Sequence, residues 1–181
     1  MAREDRTWEE EVFDLLDDLE SQAEAEFADS RRAEVADRAS AEYAHVTLAS
    51  RLMAHLDQSV TLQVEGIGVL SGTLERVATG WLLLSAHHAR WIVRHACLCA
   101  VRGVGPRSVP EVAWPITSTL RLPSPVRRLA DDQTLCLFHH RDGTRSEGTP
   151  IRVGQDFIEI AAASDRIDLV AIATLSAIRF R

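Results

Sequence analysis

The chain has 181 residues, and its hydrophobic content of 46% is sufficient for a folded core, so a disordered protein is excluded. No apolar run approaches the roughly 20 residues that cross a bilayer, and the first residues lack the pattern of a signal peptide, so a cytoplasmic protein without a membrane anchor is expected. Three cysteines without a Cys-x-x-Cys spacing argue against a disulfide framework and against a zinc knuckle.

Charge is distributed unevenly along the chain. Residues 1–58 contain 16 acidic and 6 basic side chains, whereas residues 59–181 contain 11 acidic and 14 basic ones. The net charges of these two segments are therefore −10 and +3. This asymmetry predicts an acidic N-terminal segment followed by a mildly basic remainder.

The opening third of the chain is predicted to be helical, because the first glycine is Gly66 and the first proline is Pro106. Thr7 and Glu10 have the spacing of a capping box. Apolar residues then recur at steps of three and four residues, which predicts one apolar face. They are Trp8, Val12, Leu15, Leu16, Leu19, Ala23 and Phe27.

The end of this helical segment can be interpreted in more than one way. Asp29 and Ser30 could interrupt it, in which case two helices fold back as a hairpin. Alternatively, one long helix continues toward Leu56. Thr47 could also cap a separate short helix. The sequence leaves these alternatives open.

From Val60 onward the apolar period changes from about 3.6 residues to about 2, which predicts strands. Glycines at 66, 68 and 72 predict a turn and a bent strand, and Gly80 predicts another turn. Residues 81–84 and 91–93 are predicted to be buried strands.

The second part of the chain repeats the first. Residues 72–84 align without gaps on residues 148–160, and residues 98–102 match residues 175–179 after a slip of one residue. Residues 50–58 and 124–133 form similar lead-ins, in the second of which Ser124 is predicted to be the helix N-cap. The repeat pairs Trp81 with Phe157 and predicts that both lie in like surroundings.

This repeat predicts an α+β chain with four parts. They are an acidic helical arm (1–46), a first barrel unit (47–103), a proline-containing linker (104–123) and a second barrel unit (124–181). Each unit is expected to contain a short leading helix and five short strands, closed as a small SH3-like β-barrel.

In the second unit, Asp142 and Gly143 are followed five residues later by Gly148, and then by Thr149, Arg152, Val153 and an apolar triplet. This pattern resembles the first signature motif of Sm-like proteins. Residues 168–179 are similar to the closing strands of that barrel. The resemblance implies two tandem Sm-like units. The complete arrangement also resembles uncharacterised proteins of high-GC actinobacteria, which implies no activity.

The uridine site of Sm-like RNA binders is not carried over by this resemblance. Those proteins have an aspartate and an asparagine in the motif, whereas this chain has Ala78 and Gly154 at the first position and Leu82 and Ile158 near the second. The arginine-glycine pair of the family occurs at residues 102–103 and not in the second unit.

Histidine pairs at 87–88 and 139–140, with His95, Cys97 and Cys99, raise the question of a metal site. The repeat places both cysteines opposite small hydroxyl residues, so we expect no metal and no cofactor. The sequence also contains no phosphate loop, nucleophile elbow or paired acids, so we do not expect an enzyme.

Two functions are weighed against each other. The favoured one is a non-enzymatic cytoplasmic adaptor or scaffold whose helical arm binds a protein partner or a second copy of the chain. The arm residues expected to bind are Trp8, Val12, Leu15, Leu19 and Phe27.

The alternative is a protein that binds single-stranded RNA or DNA through matched arginines on the barrels. These are Arg76, Arg102, Arg152 and Arg179. A structural role, with each arginine paired to a carboxylate such as Glu75 or Asp156, is preferred, because a net charge of +3 is low for a nucleic-acid binder.

Overall fold

A computed structural model describes residues 8–163 and 166–181 of the chain. The chain divides into two compact units, residues 1–46 and residues 47–181, which are described separately. Within the described residues, none of the helices has both the length and the apolar character that a membrane span requires.

Within residues 8–46, the first unit contains one helix, α1 (Trp8–Tyr43), which is about 54 Å long at 1.5 Å per residue. It is not interrupted at Asp29 and Ser30, so the hairpin alternative is wrong. The helix ends at Tyr43, and Thr47 caps a separate short helix, as one of the alternatives proposed. The predicted capping box includes Thr7, which lies outside the described residues.

The second unit contains two short helices, α2 (Leu48–Met53) and α3 (Pro123–Asp131). Short 3-10 turns occur at His95–Cys97, Glu111–Ala113, Ile116–Thr119 and Ile172–Thr174. The remaining regular structure consists of strands. They are β1 (Ser59–Val64), β2 (Gly68–Ala78), β3 (Trp81–Ala86), β4 (Ala89–Arg94), β5 (Leu98–Arg102), β6 (Cys136–His140), β7 (Arg145–Val153), β8 (Phe157–Ala161), β9 (Ile167–Ala171) and β10 (Leu175–Phe180).

The ten strands form one continuous antiparallel sheet in the order β5-β1-β2-β3-β4-β10-β6-β7-β8-β9. The fold class is therefore α+β, as predicted. The sheet is not closed, and it differs from the predicted pair of separate five-stranded barrels. The cause is that β4 pairs with β10, which joins the first five strands to the last five.

The first half of the sheet (β1–β5) and the second half (β6–β10) have the same strand order, with the fifth strand beside the first. Their irregularities also coincide. The pairing of β2 with β3 shifts at Glu75, and the pairing of β7 with β8 shifts at Ile151, which is the aligned residue. Because a β-bulge bends its strand, equal positions of the bulge give both halves the same bend.

Two aligned glycines allow a close approach of neighbouring strands. A Cβ atom added at Gly148 would lie 2.6 Å from the backbone oxygen of Ala161. At Gly72, an added Cβ would collide with the backbone oxygen of Ser85, which is the residue aligned with Ala161. Only glycine fits these two positions without moving the backbone, which explains why both halves have it.

The second unit contains two apolar cores. The first is covered by α2 and includes Leu52, Leu62 and Leu74. The second is covered by α3 and includes Val126, Phe138 and Ile160.

Strand β4 contributes to both cores. Trp91 and Val93 belong to the first core and Ile92 belongs to the second. Because successive strand residues point to opposite faces, this alternation means that both faces of β4 are covered.

Two local predictions are corrected by the structure. Helix α3 begins at Pro123, so Ser124 lies inside it and is not the N-cap. The preceding residue, Leu122, already has right-handed helical backbone angles (φ −49°, ψ −37°), so no extended capping residue precedes the first turn.

Trp81 and Phe157 begin equivalent strands, but their side chains lie in different surroundings. Trp81 is buried, and its Nε1 donates a hydrogen bond to the backbone oxygen of Leu120 at 2.8 Å. Phe157 is only half-buried, and its ring lies beside Gly154. The expectation of like surroundings is wrong, because the segment that connects the two halves contacts Trp81 through Leu120.

Candidate interaction surfaces

The apolar face of the arm is exposed along α1. We define the arm seam as Trp8, Val12, Leu15 and Leu19, whose side chains are between 44% and 72% exposed. At 100° per residue, the four positions lie within about 60° of one another around the helix axis. Phe27 is also exposed, but it lies about 80° around the helix from Leu19. The structure therefore groups four of the five predicted arm residues and separates Phe27.

No hairpin covers the arm seam. Residues 30–43 continue the same helix as the seam, so they cannot fold back on it. Large apolar side chains that are exposed along one face of a helix are typical of a surface that binds another protein. Glu20 and Glu24 are exposed on another side of the same helix.

The four matched arginines do not form one basic surface. Arg102 on β5 is opposite Thr61, which is opposite Ser71 on β2, and Arg76 lies five residues further along β2. This separates Arg76 from Arg102 by roughly 15 Å along the strand direction. The same strand order separates Arg152 from Arg179 in the second half.

Two of these arginines have partners within the sheet. Arg152 contacts Glu159 at 3.9 Å, and the guanidinium carbon of Arg179 lies 5.7 Å from the ring centre of Trp91. The predicted carboxylate partners are not the observed ones. Glu75 contacts Arg90 at 3.3 Å, and Arg152 uses Glu159 instead of Asp156, because Glu159 is opposite it in the β7–β8 pairing.

The histidine pairs have different local roles. His87 and His88 form the two-residue turn between β3 and β4, with φ angles of 52° and 59° that are typical of a tight hairpin. On β6, His139 is buried, whereas His140 forms hydrogen bonds of 3.1 Å with the hydroxyls of Thr174 and Ser146. Among residues 8–163 and 166–181, no three His, Cys, Asp or Glu side chains are grouped as metal ligands.

The two halves of the sheet meet at the pairing of β4 with β10, which we call the junction. In its register, Val93 is opposite Ala177, Ile92 is opposite Ile178 and Trp91 is opposite Arg179. Four of these side chains, Val93, Ile92, Ala177 and Ile178, are at most 1% exposed. The junction is therefore packed as tightly as a domain interior.

Two arginines, one from each half, donate hydrogen bonds across the junction. Arg94 of the first half donates from Nη1 to the backbone oxygens of Ile172, Ala173 and Leu175 at 2.7–3.0 Å. Arg141 of the second half donates from Nη2 to the backbone oxygen of Ala96 at 3.1 Å. Each half thus binds backbone carbonyl groups at or beside the 3-10 turn of the other.

Several buried polar groups lie beside the junction. His139 is 3% exposed, and its ring centre lies 5.1 Å from that of Trp91. Within the described part of the chain, neither ring nitrogen of His139 has a hydrogen-bond partner. Burial, with the positive charges of Arg145, Arg179 and His140, lowers the pKa of His139 to about 4. The imidazole is therefore held neutral at pH 7.

The sheet leaves two edges open. In the described strands, β5 pairs with β1 on one side and β9 pairs with β8 on one side. Apolar side chains of β9 are exposed, with Ile167 at 61% and Leu169 at 68%. The residue pattern does not specify which strands are edges, because edge position depends on which strands pair.

A scan of the sequence against protein-family models finds no match. A search of curated proteins also finds no match. Function is therefore inferred from the residues and surfaces described above.

Proposed function

We propose that this chain is a non-enzymatic cytoplasmic scaffold that acts by binding protein, either another protein or a second copy of itself, through its helical arm. The observation that carries this proposal is the exposed arm seam of Trp8, Val12, Leu15 and Leu19. When a partner covers large apolar side chains along one face of a long helix, their burial stabilises the complex.

The energy available from the seam is sufficient for recognition. Complete burial of one large apolar side chain stabilises by about 1.5–3 kcal/mol. Four such side chains on one face form a seam about 17 Å long, which suits a second helix or an apolar groove. The net charge of −10 over residues 1–58 favours a partner with basic groups at the rim of the contact.

For the remainder of the chain we propose two tandem Sm-like units, residues 47–103 and 124–181. The common strand order, the coincident bulges and the two glycine contacts support this interpretation.

The segment that connects the two halves, residues 104–123, forms hydrogen bonds with the first half. Arg51 donates from Nε to the backbone oxygen of Gly105 at 3.1 Å, and the backbone N–H of Gly105 donates to Nε2 of His55 at 2.7 Å. The backbone N–H of Val109 also donates to the oxygen of Ser50 at 2.9 Å. These contacts favour a rigid connection over a flexible tether.

Binding of single-stranded RNA or DNA is less well supported. Arg152 and Arg179 already have partners, and the matched arginines are spread over the sheet. Retardation of a single-stranded RNA that weakens steeply with salt would favour this function over the scaffold.

The arm is tested with two substitutions that leave the helix intact. In the full chain, Leu15→Gln with Leu19→Gln removes half of the seam and keeps a good helix former at both positions. Glu20→Gln with Glu24→Gln is the matched control, because it changes the same number of exposed helix residues outside the seam.

We expect the seam variant to lose at least about tenfold in affinity for its protein partner or for a second copy, and the control to bind like the unchanged chain. Light scattering measures self-association, and capture of proteins by the tagged chain measures partner binding. Unchanged mass and unchanged capture with the seam variant would contradict the proposal.

A further inference from the structure

We propose that the partner of the arm seam is a second copy of the chain, whose α1 lies antiparallel against the α1 of the first copy. The inference rests on the proposed function, because it names the occupant of the same surface. It adds the orientation and the register of the contact.

The two ends of α1 differ in charge. Residues 8–26 contain nine acidic and no basic side chains, so their net charge is −9. Residues 27–43 contain four acidic and three basic side chains, so their net charge is −1. The arginines of the helix, Arg31, Arg32 and Arg38, therefore all lie in its C-terminal part.

This distribution decides the orientation of two paired copies. A parallel pair places the two segments of charge −9 beside each other, whereas an antiparallel pair places each of them beside a segment of charge −1 that contains three arginines. Charged residues beside an apolar seam set the orientation of paired helices, and like charges repel, so the antiparallel pair is favoured. The arginines of the second copy then supply the basic groups that the acidic arm favours at the rim of its contact.

The face of the arm seam continues into the C-terminal part of α1 as small residues. The seam residues are spaced by four, three and four positions, which is the heptad spacing of paired helices. Continued along the helix, the same spacing passes the polar residues Gln22 and Glu26 and reaches Ala33, Ala36 and Ser40. All five of these side chains are exposed. One face of α1 therefore presents large side chains near its start and small ones near its end.

Large and small residues face each other when an antiparallel pair is centred near residue 24. Because a large side chain fills the space that a small one leaves, such layers pack without a cavity. The two-fold symmetry of the pair repeats these layers at both ends of the contact. The opposed residues are Trp8 with Ser40, Val12 with Ala36, and Leu15 with Ala33.

A parallel pair does not match in this way. It places Glu26 of one copy beside Glu26 of the other within the contact, where the two carboxylates repel each other. It also places the small residues of the C-terminal part opposite one another, so this part of the contact buries little apolar area. In the antiparallel register Glu26 is opposite Gln22, whose amide is a hydrogen-bond donor for the carboxylate.

The antiparallel contact is isologous, because both copies use the same surface. Such a contact is complete with two copies. We therefore expect a dimer and no larger assembly.

Disulfide cross-linking in the full chain tests the orientation. Cys97 and Cys136 are buried, so Cys99→Ser removes the exposed thiol of the chain. On this background, Val12→Cys and Ala36→Cys place one thiol each on the two parts of the face. We expect a mixture of these two variants to form a cross-linked dimer without reductant, because the opposed positions lie within disulfide distance, and each variant alone to remain uncross-linked.

A second experiment tests the charges. Arg31→Glu, Arg32→Glu and Arg38→Glu together remove the basic groups of α1 and keep a good helix former at each position. The matched control changes the net charge of the chain equally through exposed arginines outside the arm. Its substitutions are Arg107→Glu, Arg121→Glu and Arg127→Glu.

We expect the arm variant to dimerise at least about tenfold more weakly than the unchanged chain and the control to dimerise like the unchanged chain. Light scattering over a range of concentrations measures dimerisation, and circular dichroism confirms that both variants keep their helix content.

Three results would overturn the inference. They are a monomeric full chain at its highest soluble concentration, cross-linking of Val12→Cys alone that is as complete as that of the mixture, and an arm variant that dimerises as strongly as its control. The Leu15→Gln and Leu19→Gln variant separates this inference from the proposed function. If the chain is monomeric and this variant no longer captures another protein, the inference is wrong and the proposed function stands.

Discussion

Strands β10 and β5 occupy equivalent positions in the two halves of the sheet, but they have different environments. Leu175, Ser176, Ala177 and Ile178 of β10 are all buried, because β4 and β6 pair with it on both sides. The equivalent residues of β5 are exposed or half-buried, because only β1 pairs with it. Burial at these positions is therefore decided by the neighbouring strand and not by the local sequence.

The comparison extends to residues that the two halves do not share. At a position of the first strand where the first half has Gln63, the second half has the buried His139. At the end of the fourth strand, the first half has Arg94 and the second has Ala171. His139 lies beside the junction, against Trp91, and Arg94 donates hydrogen bonds across it, so both of these differences lie where the two halves contact each other.

The largest expected effect comes from the centre of each core. Leu62 and Phe138 are aligned residues of β1 and β6, and both are fully buried. Leu62→Ala is expected to lower the free energy of unfolding by about 2–5 kcal/mol and Phe138→Ala by about 3–5 kcal/mol, because each leaves a cavity. Urea unfolding followed by circular dichroism measures both losses.

The same experiment tests whether the halves unfold together. Because the junction is packed like a domain interior, each variant is expected to shift a single transition. Two separate transitions with Phe138→Ala, one of them at the position of the unchanged chain, would show that the first half is stable without the second.

The next effect is a dependence of stability on pH. The pKa of His139 is about 4 in the folded chain, whereas an unfolded histidine has a pKa of about 6.5. Between these values the unfolded chain binds the proton and the folded chain does not. The contribution of His139 is therefore complete above about pH 6.5, is lost progressively as the pH falls to about 4, and amounts to about 3 kcal/mol at most.

His139→Gln gives the second half the residue that the first half has, and it removes this titration. We expect the free energy of unfolding of this variant to fall less steeply between about pH 6.5 and 4 than that of the unchanged chain. Some dependence remains, because burial also lowers the pKa of His95 to about 4. Equal slopes in the two proteins would exclude a role for His139.

The smallest effect concerns the clamp, by which we mean the hydrogen bonds that Arg94 donates across the junction. Arg94→Ala removes the donor to three backbone oxygens across the junction and is expected to cost about 1–3 kcal/mol. Arg90→Ala on the same strand removes only an exposed pair with Glu75 and is expected to cost about 1 kcal/mol or less. A loss with Arg94→Ala no greater than that with Arg90→Ala would show that the clamp does not stabilise the junction.

Much of the local structure was predictable from the sequence. The change of apolar period at Val60 coincides with the start of β1 at Ser59, and the aligned glycines at 72 and 148 lie in equivalent close contacts. These features depend on residues near one another in the chain, so periodicity and turn chemistry identify them.

Features that depend on distant contacts were not predictable. The polar residues Asp29 and Ser30 look like an interruption, yet the helix continues through them because neither residue forces a break. The pairing of β4 with β10 joins residues about 85 positions apart, and no local pattern specifies it. The two open edges follow from that pairing, so the sequence alone could not locate them.

Hydrogen exchange of the full chain tests most directly whether the junction joins the two halves into one sheet. We predict that amides of β4 and β10 exchange slowly, because each strand has a neighbour on both sides, whereas the outward-facing amides of β5 and β9 exchange rapidly. Exchange of the β4 and β10 amides as rapid as that of the two edge strands would contradict the junction.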